Sequence, residues 1–307
     1  MIIKVSSLEI IKFSARVLCM SQQAQNIASI NDFLAGEIDL CSPPEIFMRI
    51  SKMLDDPAMN ATNIGEVIEQ DPSLSARMLK IVNSAFFGFP ATINSVSQAL
   101  TLLGDREVRL LVMATSVVEK FSSLPNSLLN MEDFWSHNLR TALFAKTLSN
   151  YHPKKRQLSS IFMSGLLHDI GRLILYIKAP DLARAATLLA QGTELTISEG
   201  ETQTFGFNHA EIGGELLKLW KLPESIQYAV AFHHQPESSE NHQVEISLVC
   251  LANKLAHANI ESEEDLAEIF PPEAPVLSAT DIPYSTLPTI ISTVNDQFSL
   301  SHQLFFG

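Results

Sequence analysis

The sequence predicts an all-α fold, specifically a multi-helical bundle in two closely packed halves, and three observations carry that reading. Apolar residues recur at intervals of three and four along most of the chain, helix start and stop residues flank those runs, and no period-2 run demands a strand. The composition agrees. With 307 residues, 46% of them apolar and only 18% charged against roughly 25% in an average domain, the chain must bury a large interior and is not intrinsically disordered.

Each element follows from its own signals. Residues 1–40 read as an N-terminal helical extension of one or two amphipathic helices. The main domain, 41–260, has a first half that runs to about residue 122. There, Ile64 to Gln70 and Pro72 to Val82 carry helical periodicity, with Pro72 suited to a first turn. The segment FFGFP at 86–90 breaks the chain. Asn94 or Ser95 can cap SVSQALTLLG, which stops at Gly104, and Asp105 can cap REVRLLVMATSVVEKF. Asn83 and Ser84 suit backbone hydrogen bonding in the turn that follows them.

The second half begins at about residue 130. Asn130 precedes a helix with Phe134, Trp135, Leu139, Leu143 and Leu148 on one face. Apolar helices are expected at Ile161 to Ile177 and at Pro180 to Gln191, the latter ended by Gly192. Ser198 with Glu201, and Asn208 with Glu211, have the spacing of capping boxes. Pro223 fits a first turn, Pro236 closes that helix, and Ile246 to His257 forms the next. The C-terminal extension, 261–307, is acidic at first and then rich in proline, and reads as peripheral. The short link from Ser122 to Met131 predicts that the two halves form one unit.

Several function classes are disfavoured at this level. Cys19, Cys41 and Cys250 form no CxxC pair, which speaks against a zinc ribbon or a disulfide framework and fits buried thiols in the cytoplasm. The longest weakly polar run, Leu110 to Val118, falls short of the roughly 18 residues a membrane helix requires. A net charge of −13 with scattered Lys and Arg repels phosphate backbones, so neither nucleic acid nor membrane insertion is expected. A helix-turn-helix reading of DPSLSARMLKIVNSAFFG fails because its second helix offers only Arg77 and Lys80 as basic residues.

The segment from Gly165 to Arg172, GLLHDIGR, carries the chemistry. Adjacent His168 and Asp169 set an imidazole and a carboxylate side by side, where both can reach one cation. Alone, such a pair is more often a helix-end hydrogen bond. Its company raises the odds: His137 lies on the preceding helix, and His209, His233 and His234 follow on two later ones, as ligands do in helical bundles. His209 could instead support a helix N-terminal turn, and His234 a helix C-terminus.

These motifs resemble the HDOD domain, a bacterial signalling module related to the HD superfamily of metal-dependent phosphohydrolases. The first half supplies PPEIFMRISKML, IGEVIEQDPSLSARMLKIVNSAFFG and INSVSQALTLLG. The second supplies FWSHNLRTALFAKTLS, MSGLLHDIGRLIL, FGFNHAEIGGELLKLWKLPESI and AVAFHHQPE, in the family's order, from about Ser42 to about Ala258. The resemblance implies metal ligands at His137, His168 and Asp169, with His209, His233 and His234 matching the second-metal histidines of the cyclic-dinucleotide branch. It also exposes departures. Asn253 stands where the superfamily's last metal-binding aspartate belongs, Arg172 replaces a lysine, and the GYP segment is absent.

An asparagine offers a neutral oxygen where a carboxylate offers charge, so a divalent cation is held less well. The expected cofactor is a divalent metal such as iron, zinc, nickel or manganese. The expected function is a non-catalytic or vestigially catalytic signal-transduction module that binds signalling proteins or a small ligand. The alternative is a metal-dependent phosphohydrolase acting on nucleotides or cyclic dinucleotides. In a third reading the histidines only hydrogen-bond within a scaffold.

Overall fold

The computed structural model describes residues 29–35, 41–83, 89, 91–122, 129–193, 195–260, 262–272 and 274–306. Among these residues the regular elements are all helices. The first half follows its caps. Asn60 accepts the backbone N–H groups of Thr62 and Asn63 and opens Ala61–Glu69, Asp71 accepts that of Leu74 and opens Pro72–Val82, and Ser95 accepts that of Gln98 and opens Val96–Leu103. Gly104 ends this last helix at φ 79, a conformation that favours glycine. Asp105 is the first residue of the helix Asp105–Ser122 rather than a cap before it.

Asn83 ties the end of Pro72–Val82 to Ile93. Its Nδ2 donates to the carbonyls of Leu79 and Ile93 at 2.9 and 2.8 Å, and its Oδ1 accepts the N–H of Ile93 at 2.6 Å. The expected break at 86–90 lies outside the described residues apart from Phe89, as do Ser84, Cys19 and the N-terminal extension before Ser29. What is described of that extension includes the short helix Ile30–Leu34. It buries Phe33 and Leu34 and packs against the helix His209–Leu219.

The two halves meet along Asp105–Ser122, which is buried on most of its circumference and packs against Glu45–Leu54, Pro72–Val82 and Ile161–Leu167. In the second half, Met131–Tyr151 is the central element. It packs against Ile161–Leu167, Gln243–His257 and the C-terminal helix Leu287–Phe306. A peripheral tail is therefore corrected. Leu287, Ile290 and Val294 of that last helix are fully buried, and the helix also reaches Pro72–Val82 in the first half.

Three further differences bear on the site. The helix expected from Ile161 to Ile177 is two helices, Ile161–Leu167 and Ile170–Lys178, with His168 and Asp169 forming the turn between them. Pro223 caps Glu224–Ala231 from outside, and Pro236 opens a short 3-10 turn after that helix has ended. The next helix, Gln243–His257, starts one turn earlier than its apolar periodicity implies.

Buried side chains from Phe33 to Val294 form one contiguous cluster, and the Trp220 indole N–H donates to the Cys41 carbonyl at 2.7 Å across the chain. A shared core makes unfolding cooperative. Calorimetry of the intact chain should show one thermal transition, and two well-separated transitions would contradict it.

Candidate metal centre

The turn between Leu167 and Ile170 is positioned by two glycines that let neighbouring backbones come close. A methyl group on Gly165 would stand 2.6 Å from Cα of Ala142, so this glycine seats the turn directly on the Met131–Tyr151 helix that carries His137. A methyl group on Gly171 would stand 2.0 Å from the His209 carbonyl oxygen, so the His209–Leu219 helix crosses with no room for a side chain. The spacing of GLLHDIG thus fixes two approaches on either side of His168 and Asp169.

The histidines converge on Asp169. Its Oδ1 lies 3.1 Å from His209 Nε2, 3.5 Å from His168 Nε2 and 3.7 Å from His233 Nε2. His137 Nε2 faces His168 Nε2 at 3.3 Å, and His234 Nε2 faces His209 Nε2 at 2.9 Å. The donor atoms form two groups that share Asp169. His137, His168 and Asp169 make one, and Asp169, His209, His233 and His234 the other, with the atoms in each group within 4.8 Å of one another. The six residues expected to meet do meet. Asn253, from Gln243–His257, is buried, and its Oδ1 has no hydrogen-bond partner.

Hydrogen bonds set the ring orientations. His168 Nδ1 donates to the Gly165 carbonyl at 2.8 Å and His233 Nδ1 to the Val230 carbonyl at 2.7 Å, because a carbonyl can only accept. Each ring therefore turns its unprotonated Nε2 inward. Burial holds His137 and His168 down at about 4, and keeps His233 and His234 well below the usual imidazole range, so all four are neutral at pH 7. Asp169 remains ionised: burial works against its charge, but the cations His209 and Arg172 and the hydrogen bond from His209 outweigh burial. Arg172 Nη1 donates to Asp169 Oδ2 at 3.1 Å.

His209 differs from the others. Burial would lower its pKa, but Glu201 and Asp169 on either side raise it to about 9. Glu201 Oε2 accepts both the His209 backbone N–H at 2.9 Å and Nδ1 at 2.5 Å, and no part of Glu201 is exposed.

Sequence reading missed Glu201 because it assigned this residue to a capping box with Ser198. The box lies two residues earlier: Thr196 caps Ile197–Phe205 with Glu199, whose Oε2 accepts the Thr196 N–H at 2.7 Å. That register turns Glu201 inward. His257, one turn beyond Asn253 on the same helix, stacks its ring on His137 with centroids 4.1 Å apart.

These residues fit a divalent cation. Neutral imidazoles point Nε2 lone pairs at a shared carboxylate, and His233 Nε2 is buried without a hydrogen-bond partner. The Nδ1–H groups of His168 and His233 are held by backbone carbonyls and that of His209 by Glu201, the outer arrangement that orients histidine ligands. Ligation through His209 Nε2 requires that ring to lose a proton.

Comparison with known proteins agrees with this architecture. A family model described as the HDOD domain matches residues 40–236. A protein of Treponema pallidum (strain Nichols) is 26% identical over 234 residues, 76% of this chain, and the chain spans 44% of that relative's length. Among solved structures, a candidate phosphohydrolase from Shewanella amazonensis SB2B superposes with a TM-score of 0.72 at 21% identity, covering 89% of this chain and 98% of that one. An HDOD domain protein from Geobacter sulfurreducens gives 0.66 at 21% identity, covering 92% and 99%. A candidate metal-dependent phosphohydrolase, also from Shewanella amazonensis SB2B, gives 0.61 at 19% identity, covering 91% and 99%. At these identities the solved structures share the all-helical fold. Because the matched span takes in more than half of the chain and all six converging residues, this protein belongs to the HDOD domain family.

Proposed function

We propose that this HDOD protein is a signal-transduction module whose histidine centre binds a divalent cation without turning over a substrate. Its ligands are His137, His168, Asp169, His209, His233 and His234, with Asn253 at the edge. The observation that carries this reading is the poverty of negative charge. Asp169 is the one carboxylate among these ligands, and Arg172 already draws on its second oxygen at 3.1 Å. An imidazole-rich set favours iron, zinc or nickel over manganese. A hydrolytic cation would supply a water of lowered pKa and a position for substrate phosphate. Asn253 and Arg172 both weaken the charge that would anchor it.

The module would act on signalling proteins or a small ligand in the cytoplasm rather than on nucleic acid or a bilayer. Among the described residues no helix is long and apolar enough to cross a membrane. The sharing of Asp169 by two donor groups favours one alternative, a phosphohydrolase of nucleotides or cyclic dinucleotides, since paired metals can clamp an in-line displacement.

Elemental analysis of aerobically and anaerobically purified protein tests for the cation. Asn253→Asp should raise metal affinity by about tenfold, in line with the range for altering a group beside a ligand set. Wild-type protein loaded with iron, manganese or magnesium should leave a generic phosphodiester and cyclic dinucleotides intact. Robust wild-type turnover, abolished by His168→Ala, would establish the phosphohydrolase instead.

A further inference from the structure

A second concave site adjoins the centre and has walls of its own. A cavity of about 750 Å³ lies between the helix Gln243–His257 and the segment that includes Phe270 and Pro275–Ser278. This volume falls in the range that holds small organic ligands. Ser247, Cys250, Lys254 and His257 recur at three and four residues, so one face of the helix forms a wall. Ile269, Phe270 and Val276 supply apolar surface opposite, and Ile269 is 45% exposed. Both of these walls lie beyond the span matched by the family model, which ends at residue 236.

Two charged groups on the lining are free of ion pairs. Lys254 and Glu237 both line it, both are exposed, and among the described residues neither is ion-paired, with each other or with a third group. They nonetheless share a neighbour. The Cys250 thiol is pushed up by burial, with Lys254 opposing and Glu237 adding to the shift. Ser247, also on the lining, is fully buried, and its hydroxyl has no hydrogen-bond partner.

We propose that this cavity binds a small zwitterion with an apolar body, of the apolar α-amino acid class. Lys254 holds the carboxylate, Glu237 the ammonium group, and Ile269, Phe270 and Val276 the side chain. A simple anion would leave Glu237 facing like charge, and a simple cation would do the same to Lys254. A purely apolar molecule would make use of neither charge. His234 and His257 border the cavity, so an occupant would lie beside the metal centre. The binding itself rests on the cavity walls and not on a bound cation.

Isothermal titration of the purified full chain, after chelator treatment and dialysis, tests this with three probes. L-Phenylalanine carries both charges, phenethylamine lacks the carboxylate and 3-phenylpropionate lacks the ammonium group. L-Phenylalanine should bind at one site about tenfold more tightly than either analogue, the scale of one charge-assisted hydrogen bond. Lys254→Gln should erase its advantage over phenethylamine, and Glu237→Gln its advantage over 3-phenylpropionate. Ala279→Trp, at an exposed position on the lining, should abolish binding of all three while circular dichroism shows the fold retained. Equal affinity for the three probes, or insensitivity to both charge substitutions, would overturn the proposal. So would binding confined to metal-loaded protein, because an amino acid can chelate a cation unaided. Failure of metal binding in the elemental analysis would leave these outcomes unaffected.

Discussion

Asp169→Asn is expected to strip the cation from the purified protein. The substitution keeps the shape of the side chain and removes the one charge that both donor groups share. Loss of an outer-sphere partner typically lowers metal affinity by roughly 10–100-fold, and loss of the shared ligand should exceed that. The cost extends to folding. His209, raised to about 9 by Glu201 and Asp169 together, and Arg172 are both cations that face this carboxylate. Removing one member of a buried charge cluster costs about 3–5 kcal/mol. Elemental analysis should return background metal, and the melting temperature should fall even in chelator-treated protein. Metal content equal to that of the wild type would show that the cation, if bound, lies away from Asp169.

Gly171→Ala should be the most damaging single-methyl change in the second half. Its Cβ would meet the His209 carbonyl oxygen at 2.0 Å and the Gly213 nitrogen at 2.8 Å, and both are backbone atoms that cannot rotate away. Relief requires the Ile170–Lys178 and His209–Leu219 helices to separate. Overpacking of this kind costs about 1–3 kcal/mol, and more where only backbone can yield. The same movement carries His209 Nε2 away from Asp169 Oδ1, now 3.1 Å distant, so metal affinity should fall with stability. Gly192→Ala is the control, because a methyl group there meets nothing within 4 Å. Urea titrations of the two variants should differ by at least about 1 kcal/mol, and equal stability would mean that the close crossing does not hold in solution.

Much of the fold is legible from short-range signals. The caps at Ser95, Asn130 and Asn208 act within three residues of themselves, so the sequence alone announces where those helices begin. The convergence of His137, His168, Asp169, His209, His233 and His234 was legible in a different way. Periodicity puts these residues on helices or in the turns at their ends, but only their ordered motifs, matched as a set, say that the helices bring them together.

Other features depend on distance in space. Thr196 and Ser198 both satisfy the local pattern for a capping box, and packing against the His209–Leu219 helix selects the register that sends Glu201 to His209. The run from Ile161 to Ile177 is mostly apolar on both sides of His168 and Asp169, so its periodicity hides the break there; that break exists because the side chains there are drawn into a shared polar cluster. The last helix carries apolar residues after a proline-rich stretch, and nothing near it in the chain says that Met131–Tyr151 offers it a groove. Caps and periods are set by interactions over a few residues, and these the amino-acid order specifies directly. Which buried carboxylate faces which imidazole, and which apolar helix finds a partner, depends on groups tens of residues apart, and only the folded chain brings them into contact.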